Sequence, residues 1–454
     1  MTECNQSAFR FKANGSREIV ARFDGGTISS DGGAFLLRQT DQRLNLLPRL
    51  AECFLDGRNQ DLVEHSILEM VSQRVYGLAL GYEDLNDHDQ LRHDPVFGIL
   101  AGRQEMTEPL AGKSTLNRME LGVGTKDRYK KITFWKDGLD ELLVKVFIES
   151  HQNAPVEIIL DVDTTDLPLH GKQEGRFFHG YYAHYCYLPL YIFCGEQILC
   201  ARLREANQDA SAGSLQEIER IVGQIRTAWP EVKIILRGDS GFCRNTLMSW
   251  CEGNGVDFVF GLARNQKLRK IIGAEMQQAT EQWKLSGKPA RVFSDFSYQT
   301  KKTKRGGWDR QRRVVAKAER IEGKENPRFV VTSLKKEEWA APALYEKLYC
   351  ARGEMENRIK EQFSLFADRV STETMRANQM RLYLSTMSYI LMSGLRRLGL
   401  KETDLAEAQV STIRTKLLKI GAQIRVTVRK VWVSMASSYP WQDLYQQVWT
   451  NLRC

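Results

Sequence analysis

Two apolar runs, Val156–Val162 and Val232–Leu236, each lead to an aspartate, Asp163 and Asp239, and no other feature restricts the fold as strongly. Short runs rich in Val and Ile, bounded by polar residues, mark buried strands. A helix over Leu215–Ala228 and further strands at Tyr185–Phe193, Gln197–Leu203 and Asp257–Gly261 complete the prediction of an α/β core with a mixed sheet. Sites in α/β sheets lie beyond the carboxyl ends of strands, which is where both aspartates fall. Each is followed by hydroxyl residues: Thr164 and Thr165 in the first case, Ser240 in the second. A single aspartate at a strand end is usually a turn cap, but two alike constructions argue for a joint role. Alternate strand residues share a face, so Asp161 points the same way as Asp163 and remains an alternative first ligand. Asp163, nearer the strand end, is favoured.

A third acid comes from a predicted helix. Tyr349, Arg352, Glu356 and Lys360 follow one another at intervals that place all four on one helical face, whereas Glu354 and Glu361 fall elsewhere. Such a face is too polar for a core. Carboxylates from two strand ends and a facing helix can clamp two Mg²⁺ ions about 3.5–4 Å apart, the geometry of in-line phosphodiester chemistry. Asp163, Asp239 and Glu356 are therefore the expected catalytic and metal-ligating residues, with Mn²⁺ able to replace Mg²⁺. Arg352 and Lys360 are placed to hold phosphates, with Tyr349 beside them.

Charge points to the same class of partner. The chain carries a net +9, yet residues 263–320 alone hold 16 Lys/Arg against 5 Asp/Glu, 16 − 5 = +11. Positive charge concentrated this way, with Trp283, Phe293, Phe296, Tyr298 and Trp308 interleaved, suits a polyanion such as DNA. Lys301, Lys302, Lys304 and Arg305 form its densest cluster, and Trp308, just after Gly306-Gly307, is expected at an exposed tip where it can stack on a base. The loop Gly175–Tyr182 is a second candidate for stacking and phosphate contact.

Other signals are weaker. Gly112-Lys113-Ser114-Thr115 lacks the glycine five positions upstream, where Thr107 stands, and is not a phosphate-binding loop. His170, His179, His184 and Cys186 match no structural-zinc spacing. Nine cysteines without a Cys-x-x-Cys pair, and no leader, read as reduced thiols of a cytosolic protein. The most apolar stretch, Tyr185–Cys194, is too short to span a membrane.

The 454 residues are expected to divide into several parts. Residues 1–150 read as mostly helical and DNA-end-binding. They open on two Asp-Gly-Gly turns (24–26, 31–33) that call for positive φ, with Ser30 or Asp31 capping a helix through Ala34–Leu37. Residues 151–262 form the first part of the core, and 263–335 a basic β-rich insertion. Residues 336–400, helical from Pro342 to about Leu398, complete the core. Residues 401–454 form a basic, oligomerising tail whose Ile424–Arg429 segment is a two-faced strand or hairpin.

The series Tyr349-x-x-Arg352-x-x-x-Glu356 resembles the Tyr-Arg-Glu-Lys signature of bacterial insertion-sequence transposases of the Asp-Asp-Glu class. Asp163-Thr164-Thr165 is similar to their first-aspartate motif. The Asp-Gly-Gly turns, His170–Gly175 and Arg237–Phe242 look most like the insertion sequence 1380 family. The resemblance covers essentially the whole chain and departs at the signature lysine, seven residues after the glutamate, which is Phe363 here. It implies a ribonuclease-H-like core with a β-rich insert between Asp239 and Glu356. It also implies DNA cleavage and strand transfer at terminal inverted repeats, in a bacterial, nucleoid-associated protein working as a homodimer on DNA. A metal-dependent nuclease without strand transfer and a non-catalytic DNA-binding relative are the competing readings.

Overall fold

The computed structural model describes residues 8–105, 108–123, 127–300 and 307–453. The chain forms two compact units, Phe134–Thr386 and the combination of Met1–Thr133 with Met387–Cys454. No described helix is long and apolar enough to cross a membrane.

The Phe134–Thr386 unit is built on one nine-stranded mixed sheet. Its strands are β1 (Glu157–Thr164), β2 (Leu190–Cys194), β3 (Gln197–Arg202), β4 (Lys233–Gly238), β5 (Asp257–Leu262), β6 (Ala290–Tyr298), β7 (Arg312–Ile321), β8 (Lys324–Glu325) and β9 (Arg328–Thr332). The order is β3-β2-β1-β4-β5-β9-β7-β6, with β8 paired to β7. Only β1, β4 and β5 run parallel to their neighbours within that trio, and every other pairing is antiparallel. The central strands are apolar on both faces because both faces are covered, as parallel strands require. On one face, Ile218, Ile221, Val222 and Ile225 of helix α1 (Ser214–Ala228) present the helical repeat to Leu160, Ile234 and Phe258. The opposite face buries Ile235, Val259, Val315 and Val330 under Leu344 and Leu348.

Three expectations change here. The strand expected over Tyr185–Phe193 is two strands, because Pro189 offers no N–H to a ladder. His184–Tyr187 pairs in a small three-stranded sheet with Leu167–Pro168 and Phe177–His179, and Leu190–Cys194 joins the main sheet. The helix expected from Pro342 to Leu398 is interrupted: a π turn at Leu344–Tyr349 and a 3₁₀ turn at Cys350–Arg352 precede α2 (Gly353–Phe363), and a separate helix spans Met375–Leu398. The expected β-rich insert also holds two helices, Gln266–Ile271 and Gly273–Ser286, and its strand β9 pairs with β5, so it continues the same sheet.

The other unit is mostly helical, with Ile67–Leu80 nearly wholly buried. Its first turn is capped by Ser66, whose hydroxyl accepts from the Glu69 N–H. Neither Ser30 nor Asp31 caps the following helix, which starts at Phe35. The buried Asp31 carboxylate is instead claimed by Lys419 (2.6 Å) and the Tyr82 hydroxyl (2.8 Å), since a buried charge must be paired. Of the two Asp-Gly-Gly pairs, only Gly26 has positive φ (73°). Gly33 is required by close packing: a Cβ there would lie 2.1 Å from the Leu417 carbonyl oxygen.

Candidate active site

Asp163 lies next to the last residue of β1, where β1 still pairs with β2 through Asp163 and Tyr191. Asp239 follows the last residue of β4. The parallel register of β1 and β4 sets Val162 beside Gly238, so both aspartates emerge at the same sheet edge. The Asp239 carboxylate is held by the Gly241 N–H (2.7 Å), and Asp163 by the Thr164 N–H (2.9 Å). Gly261, at the end of β5, leaves room for a ring: a Cβ there would sit 2.5 Å from the Tyr349 hydroxyl. Tyr349 thereby reaches the neighbourhood of Asp239. Its phenol is shifted upward by burial, with Asp239 adding to the shift and Arg352 opposing it.

Arg352 is the hub. One guanidinium nitrogen donates to Asp163 at 2.8 Å and another approaches Glu356 at 3.5 Å. Burial pushes the Asp163 carboxyl up to about 6; Arg352 pulls the other way, while the nearby Asp239 and Glu356 carboxylates push it further up. The three acids are thus electrostatic neighbours, although they lie far apart in the chain. Glu356 is half exposed, in the first turn of α2, and Lys360 is exposed one turn further on.

Asp161 has a different task. Arg237 forks onto both its oxygens (2.5 and 2.7 Å) and also donates to the Leu348 carbonyl, so β1, β4 and the chain entering α2 are tied together. Burial raises the Asp161 carboxyl against the pull of Arg237. This fork leaves neither Asp161 oxygen unpaired.

The acids fit a divalent cation by donor chemistry: hard oxygens, one of them desolvated and crowded by two others. Among the described residues, however, no three His, Cys, Asp or Glu side chains converge on a single ion position. Arg352 supplies the positive charge between Asp163 and Glu356.

A cavity of about 630 Å³ opens beside Asp239. Ser240, Tyr349, Arg264, Lys324 and Arg328 line it. These three cations escaped the sequence reading, although Arg264 sits just past the carboxyl end of β5, where the rule that located the aspartates would have found it. Arg328 begins β9 and Lys324 lies in β8, and only the sheet order brings them to this edge.

Lys301, Lys302, Lys304 and Arg305 lie outside the described residues. Trp308 is not at an exposed tip. It is 4% exposed, packs edge-on against Tyr298 (5.7 Å), and its N–H is bonded to the Thr300 hydroxyl. A large apolar ring near a sheet is more stable buried than in water, and the glycines before it do not change that. In the Gly175–Tyr182 loop, Phe178 and Tyr181 are exposed, and Arg176 lies 4.2 Å from the Tyr185 ring.

A mixed α/β sheet that delivers two aspartates to one edge, against a glutamate and an arginine on a helix, defines a candidate centre for metal-assisted phosphoryl chemistry. The family model described as "Transposase DDE domain group 1" matches residues 11–454, and the chain belongs to that family. No curated protein matches it. Among solved structures, the piggyBac transposase synaptic complex with hairpin DNA is similar at a TM-score of 0.39 and 10% identity, over 86% of this chain and 80% of that one.

Proposed function

We propose that the chain is a Mg²⁺-dependent DNA transposase that cleaves at the terminal inverted repeats of an insertion sequence and joins the 3′ ends to target DNA. Family membership carries the class. The single observation that carries the site is the Asp163–Arg352–Glu356 bridge, with Asp239 near enough to raise the Asp163 carboxyl. Asp163, Asp239 and Glu356 would hold the metal. When bound, Mg²⁺ would supply an activated water and charge neutralisation at the phosphate. Asp161 is the weaker candidate because Arg237 occupies both its oxygens.

The chain's own residues then have distinct tasks. Arg352 orients Asp163 and is placed to take a phosphate in its fork. Tyr349, whose hydroxyl lies against Gly261 in the neighbourhood of Asp239, and Lys360, exposed on α2, are assigned to contact DNA. The lysine of the family signature is Phe363, so Lys360 is the cation of α2 left to act on that side. The ribonuclease-H-like core, the insertion sequence 1380 kinship, a bacterial nucleoid-associated location and a homodimer on DNA rest on the sequence resemblance.

The test is cleavage of DNA carrying the sequences that flank this coding region. Asp163→Ala, Asp239→Ala and Glu356→Ala should each abolish Mg²⁺-dependent nicking while DNA binding persists. A Glu356→Ala protein that nicks at the wild-type rate, beside an inactive Glu354→Ala protein, would reject the assignment of the glutamate. Cleavage without any joined product would favour a nuclease.

A further inference from the structure

The strands Ala422–Val426 and Val431–Met435 form an antiparallel hairpin whose base pairs with Ile28–Ser29. Around it, residues 408–442 contain Arg414, Lys416, Lys419, Arg425, Arg429 and Lys430 and not one Asp or Glu. The first three cations are engaged within their own unit. Arg414 donates to the Ala79 carbonyl, Lys416 lies over Trp441, and Lys419 pairs with Asp31. No carboxylate among the described residues pairs with Arg425, Arg429 or Lys430, and all three are exposed.

The register sorts the side chains by face. Gln423 stands opposite Ser434 and Arg425 opposite Trp432, while the Thr427 N–H donates to the Lys430 carbonyl. Alternation therefore gathers Gln423, Arg425, Thr427, Lys430, Trp432 and Ser434 on one face. Ile424 and Val433 turn to the other face, which is buried at its base. On the polar face, Trp432 is 48% exposed, with Arg425 at 5.9 Å and Lys430 at 5.4 Å from its ring. No side chain in this row carries negative charge, and every polar side chain in it can donate a hydrogen bond.

We infer that the hairpin Ala422–Met435 is a duplex-DNA-binding ribbon, holding backbone phosphates with Arg425, Arg429 and Lys430 and presenting Trp432 and its hydroxyl neighbours to the groove. The inference rests on the transposase reading for its ligand. A two-stranded ribbon fits the major groove of B-DNA, about 12 Å wide, and strands of this length span roughly 17 Å. Charge complementarity selects DNA over a second copy of the chain: two copies of this face would set cation against cation.

The test uses the full chain and a mixed-sequence duplex of about 30 base pairs, with affinity measured from low to moderate salt. The triple variant Arg425→Gln, Arg429→Gln, Lys430→Gln should bind on the order of tenfold or more weakly, with a salt slope smaller by about 0.9 for each phosphate no longer neutralised. Arg425→Lys with Arg429→Lys, which keeps the charge, should preserve the slope. The control Lys145→Gln, Lys336→Gln, Lys401→Gln removes the same net charge from exposed positions elsewhere and should leave the slope near wild type. If the hairpin triple variant keeps the wild-type slope while the wild-type chain binds and nicks DNA, this inference falls and the transposase reading stands. A hairpin variant that changes only the sedimentation of the protein, with DNA affinity intact, would overturn the inference in favour of an interface between copies. If the wild-type chain shows no salt-dependent DNA binding at all, both fall.

Discussion

The basic insert and the C-terminal hairpin have similar cationic sequences but opposite structural fates. In the insert, Arg312 is 2% exposed and forks onto Glu252, Arg313 onto Asp295, and Lys317 reaches Glu319. Arg291 bridges Glu319 and Glu346, and Arg269 pairs with Glu325. In the hairpin, Arg425, Arg429 and Lys430 face solvent beside a half-exposed Trp432. Glu252, Glu325 and Glu346 lie outside the window 263–320 whose charge sums to +11. A sum along the chain therefore overstates the positive field of a region that folds against distant acids. Where no carboxylate among the described residues pairs with the cations, as for Arg425, Arg429 and Lys430, the sum survives folding.

The comparison predicts that insert residues answer in stability and hairpin residues in binding. The largest effects belong to the insert. Arg312→Ala removes the buried fork on Glu252, leaving it only the looser Arg310 pair at 3.6 Å, and should cost about 3–5 kcal/mol in chemical denaturation. Trp308→Ala, removing a ring from the core, should cost about as much. The insert is misjudged if a Trp308→Ala protein keeps wild-type stability and loses only DNA-end processing.

Next comes the carboxylate centre. Burial favours the neutral form of Asp163, which stays protonated below about 6. That proton must leave before a cation can bind, so Mn²⁺ affinity by calorimetry should fall up to about tenfold per pH unit below that value and level off above it. Asp163→Asn should remove the inflection; an unchanged profile would mean that another group sets it.

A smaller change is expected from Lys301, Lys302, Lys304 and Arg305. Their neutralisation should lower the salt slope of DNA binding by about 0.9 for each phosphate they hold in the wild type. An unchanged slope would leave the hairpin as the stronger grip and make that cluster a solvated surface. The smallest effect is thermal: the triple glutamine variant of the hairpin should melt within about 0.5 kcal/mol of wild type, because its side chains leave no buried partner behind. A larger loss would show that the ribbon's cations serve the fold.

Much of the core is legible in the sequence because its signals are local. Val156–Val162 and Val232–Leu236 read as strands since an apolar run buried on both faces needs no distant information. The break at Pro189 escapes the apolar pattern, which runs a single strand through it, although proline's missing N–H is the local signal that marks it. Regular α spacing finds the glutamate helix, yet the chain before it is π and then 3₁₀. Arg352 and Glu356 still meet because both lie at or beyond the start of regular helix, whereas the Tyr349 hydroxyl comes into the neighbourhood of Asp239 through the gap left by Gly261.

By itself, the sequence determined the α/β character of the core and the two strand ends that carry Asp163 and Asp239, because side-chain period and burial are properties of neighbouring residues. Tertiary structure alone decided that Arg237 engages Asp161, that Arg352 joins Asp163 to Glu356, and that Trp308 is buried. Each of these outcomes depends on groups brought together from 76 or 189 positions away, or on a strand-edge packing partner. Charge pairing and ring burial follow distance in space, and the sheet order that sets those distances is written in no single segment of the chain.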